Sequence, residues 1–148
     1  MRKSIGNVYH AGGRMGWGEG AIARGTFVFL SGTTGRDTAT DLVPPSMGEQ
    51  TLMCWDRINE SLQKAGTSCA NIVQRITYVT DMDEWFSHAA GFQRRWLSQN
   101  CPELLESEPG SAIIGVQRLA LAAMKVEILV TAVIPESNGR DGRAAPAS

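Results

Sequence analysis

One carboxylate, Glu127, sits inside the most apolar stretch of the chain, "MKVEILVTAVIP" (Met124–Pro135). From Val126 every second residue is aliphatic (Val126, Ile128, Val130, Ala132, Ile134), and Leu129 and Val133 make the other parity apolar as well. A strand apolar on both sides is buried on both sides, and an ionised carboxylate taken out of water without a partner is costly. The plain reading puts Glu127 on an edge strand, facing water or paired with an Arg or Lys. The functional reading holds it in a semi-apolar interface, where a carboxylate can orient water and move protons. Sequence parity alone leaves both open.

A second candidate is "FLSGTTG" (Phe29–Gly35), a strand that runs into Ser31, Gly32 and Thr33. Its hydroxyls and bare backbone amides suit a polar or anionic ligand. The same residue types also build ordinary strand-end turns.

Other chemistry is thinly represented. The three cysteines, Cys54, Cys69 and Cys101, form no CxxC pair, and the only histidines are His10 and His88. That set is too sparse for a structural zinc site, so no metal is expected. Cys101 stands before Pro102 in a loop, a place where a thiol could be exposed, although nothing nearby marks it as a nucleophile. His88 falls off the apolar stripe of its helix and reads as solvated. "GEGAIA" (Gly18–Ala23) fits a GxGxxA string but enters a strand instead of leaving one for a helix. It is therefore no dinucleotide fingerprint, and no cofactor is expected.

The elements that must position these residues follow from periodicity. Residues 1–18 are Gly-rich without a period and read as a loop or arm. "GAIARGTFVFLSG" (Gly20–Gly32) reads as two short strands about Arg24–Gly25. Leu52, Trp55, Ile58 and Leu62 make one face of a helix over Met47–Ala65, stopped by Gly66. Asn71–Asp81 is β-branched and reads as a strand. A second helix from about Asp83 to Gln99 carries Trp85, Ala89, Phe92 and Trp96, with Asp81 or Asp83 as its cap. "NCPELLESEPG" reads as a loop, and "SAIIGVQRL" and "MKVEILVTAVI" as the last strands.

This order predicts an α+β layer fold in which two helices cover one sheet face. The doubly apolar last strand then needs a second cover, and copies of the same chain are the simplest one. The division expected is an arm (1–18), a domain (19–135) and a polar Gly/Pro/Ala-rich tail (136–148) expected to be mobile.

Composition sets the outer limits. At 148 residues, 20% charged and 43% apolar, the chain is one globular domain. A net charge of −1 without a basic block argues against a nucleic-acid partner held by phosphate neutralisation. No apolar run reaches the ~18 residues of a membrane span, so no membrane partner is expected. The basic start lacks an apolar h-region, and with scattered free thiols this points to the cytoplasm.

Four segments in order, "FVFLSGTTG", "QTLMCWDRINESLQKAG", "NIVQRITYVTDMDEWF" and "GVQRL…KVEILVTAV", resemble the YjgF/RidA (reactive intermediate deaminase) family over roughly residues 20–134. The resemblance implies a chorismate-mutase-like α+β single domain: a mixed sheet with two helices on one face, assembled as a homotrimer with clefts between subunits. It also implies hydrolysis of small enamines and imines to ketoacids and ammonia without a cofactor. In such a site an arginine grips the substrate carboxylate, a strand glutamate handles the attacking water, and backbone groups at a Ser-Gly turn complete the pocket. Glu127 falls on that glutamate, and Ser31 and Gly32, followed by Thr33, on that turn.

The departures are specific. The family's Pro-Ala-Arg appears as "PGSA" (Pro109–Ala112), so Ser111 stands where the arginine is expected. Ala89 replaces a common Asn, and Trp17 or Gly18 falls where a Tyr is usual. A serine makes no charged fork to a carboxylate, so the usual α-imino acids should bind poorly unless Arg14, Arg36 or Arg118 reaches in. The substrate-binding set expected is Ser31, Gly32, Thr33, Ser111 and Trp17, with Glu127 catalytic. The rival expectation is a non-catalytic trimer that binds a small metabolite or a partner protein in the same cleft. An RNA-cleaving role is opposed by the near-neutral charge.

Overall fold

The computed structural model describes residues 1–136. Strands β1 (Arg2–His10) and β2 (Gly13–Ala23) form an antiparallel hairpin, followed by β3 (Gly25–Phe29), the short β4 (Thr33–Thr34) and helix α1 (Met47–Lys64). A 3-10 turn (Cys69–Asn71) leads into β5 (Ile72–Val79). Next come α2 (Met82–Glu84), a π-helical turn (Trp85–Ala89), α3 (Ala90–Asn100), the short α4 (Pro102–Glu106), β6 (Gly110–Gly115) and β7 (Val126–Pro135). The sheet order is β1-β2-β6-β5-β7-β3, with β4 also on β7. β6 runs parallel to β5 and β2, while the other pairs are antiparallel, so the sheet is mixed as expected.

The two main helices form where the apolar stripes predict them. Ser46 caps α1 by accepting from the Glu49 amide at 3.3 Å, and Gly66, at φ +81°, ends it in the left-handed region that glycine adopts freely. Trp55, Ile58 and Leu62 are completely buried, each contributing about 1.5–3 kcal/mol. Asp81 caps the second helix by accepting from the Glu84 amide at 2.9 Å. The helices meet closely. Trp55 and Trp96 stack at 5.4 Å, Trp96 Nε1 donates to Asp56 at 2.7 Å, and Gly48 gives Phe92 its room, since a Cβ there would stand 2.7 Å from the ring.

On β7 burial alternates from Val126 to Ala132, and Val133 after it is fully buried as well. Val126, Ile128, Val130 and Ala132 are buried beneath the helices, while Glu127, Leu129 and Thr131 of the other parity are half-buried on the helix-free face. Phe27 and Phe29 pair in register with Val133 and Thr131, stack on one another at 6.3 Å and remain exposed. The helix-free face is thus apolar and uncovered in one chain.

Three expectations are corrected. Residues 1–18 are no loop: they make up β1 and the first half of β2. The hairpin reverses at Ala11 and Gly12, both at positive φ, and its register shifts between Ser4 and Tyr9. Those bulges break the two-residue period that would have marked the strands. The segment after Asn100 holds the short helix α4, whose first residue is Pro102, a position where proline's missing N–H costs nothing. Cys101 is buried, not exposed. The expected tail, apart from Glu136, lies outside the described residues.

Candidate functional site

Glu127 is the second residue of β7, and its placement is fixed from several sides. Gln50, fully buried in α1, donates from Nε2 to Pro44 O at 2.6 Å and to Ala123 O at 3.0 Å. Its Oε1 accepts from the Lys125 amide at 2.8 Å. These bonds satisfy polar groups at the entry to β7 and set where the strand begins. Lys125 Nζ in turn pairs with Glu84 at 2.9 Å. In register, Glu127 lies opposite Tyr78 on β5 and Thr34 on β4.

The Ser31–Gly32–Thr33 turn arrives at the same place. A Cβ on Gly32 would overlap Glu127 Oε1, so the carboxylate rests on a bare stretch of backbone. Thr33 is buried, and its carbonyl accepts from Cys54 Sγ at 3.2 Å, while Arg57 Nη1 donates to Thr34 O at 3.3 Å. Ser31 is exposed, and its carbonyl accepts from Thr33 Oγ1 at 3.4 Å. α1 therefore pins the turn from beneath and leaves its outer side to solvent. Glu127 makes no ion pair among the described residues and belongs to a strand flanked on both sides. The edge-strand and ion-pair forms of the plain reading do not hold; Glu127 is half-buried on the open face of the sheet.

The other two expected residues lie elsewhere. Ser111 is the register partner of Arg75 across the parallel β5–β6 ladder. Arg75 sits on the helix-covered face, 5.9 Å above the Trp55 ring, so Ser111 and Glu127 occupy opposite faces. Trp17 and Ser111 line a cavity of about 390 Å³ between the hairpin, β5–β6 and the second helix. Within one chain the structure joins Glu127 to Ser31, Gly32 and Thr33, and Trp17 to Ser111, but not one group to the other.

The cavity holds the pair that sequence reasoning missed, Arg75 and Glu108. Their side chains are 4% and 3% exposed and stand 3.7 Å apart, beyond hydrogen-bond length. Arg75 Nη2 donates to Gly16 O at 3.0 Å and to Ser111 Oγ at 3.4 Å, whereas Arg75 Nη1 and Glu108 Oε2 have no hydrogen-bond partner among the described residues. Burial pushes the Glu108 carboxyl above its ordinary range, against the pull of Arg75, Arg14, Arg94 and Arg2. One signal for Arg75 was present: it shares parity with Thr77 and Val79, which face the core.

Of the arginines considered as replacements, Arg14 lines the cavity and donates to Leu105 O. Arg36 is engaged with Asp41, and Arg118 lines a separate hollow beside Thr80 and Met124. All three thiols are buried, and those of Cys54 and Cys69 are pushed up to about 12. Among the described residues no group of three or more His, Cys, Asp or Glu is placed to hold a metal ion. No helix there is long and apolar enough to cross a membrane.

Comparison with known proteins places this architecture. A YjgF family protein of Neisseria meningitidis is 25% identical with a TM-score of 0.62, over 82% of this chain and 89% of that one. A Rid family protein of unknown function from Yersinia pestis is 20% identical with a TM-score of 0.70, over 90% and 98%. TdcF of E. coli, solved with bound serine, is 20% identical with a TM-score of 0.65, over 89% and 94%. Comparison with curated protein sequences gives no match. The family described as Endoribonuclease L-PSP matches residues 13–134, a span that takes in β2, both main helices, the Ser31–Gly32 turn and Glu127. With its mixed sheet, its two helices on one face and that match over most of its length, the chain belongs to the Endoribonuclease L-PSP family, which is the YjgF/RidA family.

Proposed function

We propose that the protein is a cytoplasmic, cofactor-independent hydrolase of small enamines or imines, working as a homotrimer with Glu127 positioning the attacking water. The observation that carries this reading is the seat of Glu127: a carboxylate without an ion pair among the described residues, held against bare backbone at Gly32, on a sheet face that no helix covers. That face also presents Phe27 and Phe29 to solvent, which favours burial against another copy of the chain. A neighbour docked there would bring its own Trp17 and Ser111 toward Glu127 and complete a cleft that one chain leaves divided.

In such a cleft Glu127 accepts a proton from water as the oxygen attacks the imine carbon. Glu127 returns that proton to the nitrogen, giving a carbinolamine; its C–N bond then breaks as the hydroxyl proton passes to the departing nitrogen, so ammonia leaves and the carbonyl forms. No electrons are exchanged, so no redox partner is needed. Ser31, Gly32 and Thr33 offer backbone and hydroxyl groups to the polar end of the substrate, while Trp17 and Ser111 shape the remainder.

The test is ammonia and ketoacid release from enzymatically generated imines, with and without an α-carboxylate, by wild type and Glu127→Gln. Turnover that vanishes in Glu127→Gln while the fold is kept supports the reading; equal turnover by both proteins overturns it. One observation favours a second reading, a binding protein without turnover: Ser111 leaves the expected cationic position without a charge. Release by neither protein, with a metabolite retained by wild type, would establish that reading instead.

A further inference from the structure

Glu127 has two cross-strand neighbours on the helix-free face, and both carry a hydroxyl. Thr34 on β4 and Tyr78 on β5 are its register partners, so Thr34, Glu127 and Tyr78 form one row across three strands. Their burial agrees with that placement. Thr33, Thr77, Val79, Val126 and Ile128, the neighbours of these residues along their strands, are buried, while Thr34, Tyr78 and Glu127 are half-buried. The row continues onto β6 with Ile114, an apolar side chain 41% exposed on the far side of Tyr78. Directly opposed residues stand about 4.5–5.5 Å apart at Cβ, so the phenol and the carboxylate rise from the sheet side by side.

We propose that Tyr78 is a further catalytic residue, which holds the attacking water jointly with Glu127. The proposal rests on the hydrolase reading and deepens it. A water that gives one proton to Glu127 can still turn about that bond. A second acceptor fixes it, and with both protons donated the oxygen keeps its lone pairs for the imine carbon.

Few groups around Glu127 can be that acceptor. Among its diagonal neighbours Ile76 and Leu129 are apolar, and Lys125 is engaged with Glu84 at 2.9 Å. Thr80 donates from Oγ1 to Lys125 O at 3.5 Å. The two hydroxyls of the row remain. Strand side chains stand roughly perpendicular to the sheet, so the short Thr34 keeps its oxygen near the sheet surface. The longer Tyr78 carries Oη up to the level at which the Glu127 carboxylate meets substrate. Tyr78 exchanges no proton in this scheme. Glu127 takes one proton of the water, and the one facing Tyr78 stays on the oxygen until the C–N bond breaks. The phenol sets the direction of attack, so its loss falls on turnover and not on binding.

The test is steady-state hydrolysis of an imine by wild type and Tyr78→Phe, with a crystal structure of the wild-type assembly. Tyr78→Phe keeps the ring and removes only the hydroxyl. Expected are a fall in kcat of about tenfold, one hydrogen bond's worth, and an unchanged KM. The crystal structure should show an ordered water within about 3.2 Å of both the Glu127 carboxylate and Tyr78 Oη. Wild-type turnover matched by Tyr78→Phe would overturn the role of Tyr78 and leave the hydrolase reading standing. So would a loss that appears in KM alone, or an active wild type whose water at Glu127 does not touch Tyr78. The structure decides the matter even where Tyr78→Phe fails to fold. A wild type silent on every imine overturns the hydrolase reading itself, and the role of Tyr78 with it.

Discussion

Arg75 and Ser111 face each other across the parallel β5–β6 ladder, and Arg75 Nη2 donates to Ser111 Oγ at 3.4 Å. The serine that stands where the family resemblance leads one to expect an arginine therefore has a guanidinium beside it, supplied by the neighbouring strand. Position 111 carries no charge, yet the space around it is cationic.

Truncating that arginine should be severe. Arg75→Met leaves Glu108 buried without its cation, a situation that typically costs about 3–5 kcal/mol. Replacing both members, Arg75→Met with Glu108→Leu, removes the stranded charge and should recover most of the loss. Urea unfolding of the single and double variants checks this, and a double variant as unstable as the single would contradict it.

Glu108 should also leave a signature in the pH dependence of stability. Its carboxyl is raised in the folded chain, so the folded state holds the proton more tightly than the unfolded one. The stability it contributes is complete below the unfolded-chain value and is lost as pH rises through the raised value. The stability of wild type relative to Glu108→Gln should accordingly shrink with rising pH across that window. Denaturant titrations of both proteins across the acidic to neutral range measure it.

Gly32 and Glu127 should be thermodynamically coupled. Adding a methyl at Gly32 drives Cβ into the Glu127 carboxylate, which must swing aside, and should destabilise by about 1 kcal/mol or less while displacing that carboxylate. In the Glu127→Ala background the same substitution should cost much less, because the clashing atoms are gone. A double-mutant cycle read by thermal unfolding gives the coupling energy, and purely additive effects would mean that the two residues do not touch.

What could be read from the sequence depended on whether burial and period agreed. The helices were legible because Trp55, Ile58 and Leu62 recur at helical spacing and are all fully buried. Glu127 stood out because one carboxylate interrupted a strand apolar at nearly every position. The hairpin was hidden by its own geometry, since bulges between Ser4 and Tyr9 shift the side-chain parity more than once. Arg75 was missed for another reason. An arginine inside a β-branched run reads as the solvent-facing parity, and only its alignment with Thr77 and Val79 places it inward. Glu108 lies between two elements, where no period operates, and its burial comes from the hairpin packing over it: Ser4 Oγ donates to Glu108 O at 3.2 Å and the Gly18 amide to Pro109 O at 2.9 Å. The division between Glu127 on one face and Trp17 with Ser111 on the other depends on sheet register, which one strand does not encode alone.

The central claim is that Glu127 of one chain and the Trp17–Ser111 cavity of another form a single working site. Mixing subunits tests it most directly. Glu127→Gln removes the water-handling carboxylate, and Ser111→Phe fills the cavity beside Arg75, so each variant alone should be inactive on an imine that wild type hydrolyses. Co-refolding the two should restore part of the wild-type ammonia release, because some cleft then receives Glu127 from one chain and Ser111 from the other. Mixed assemblies that form and remain silent would contradict the shared site.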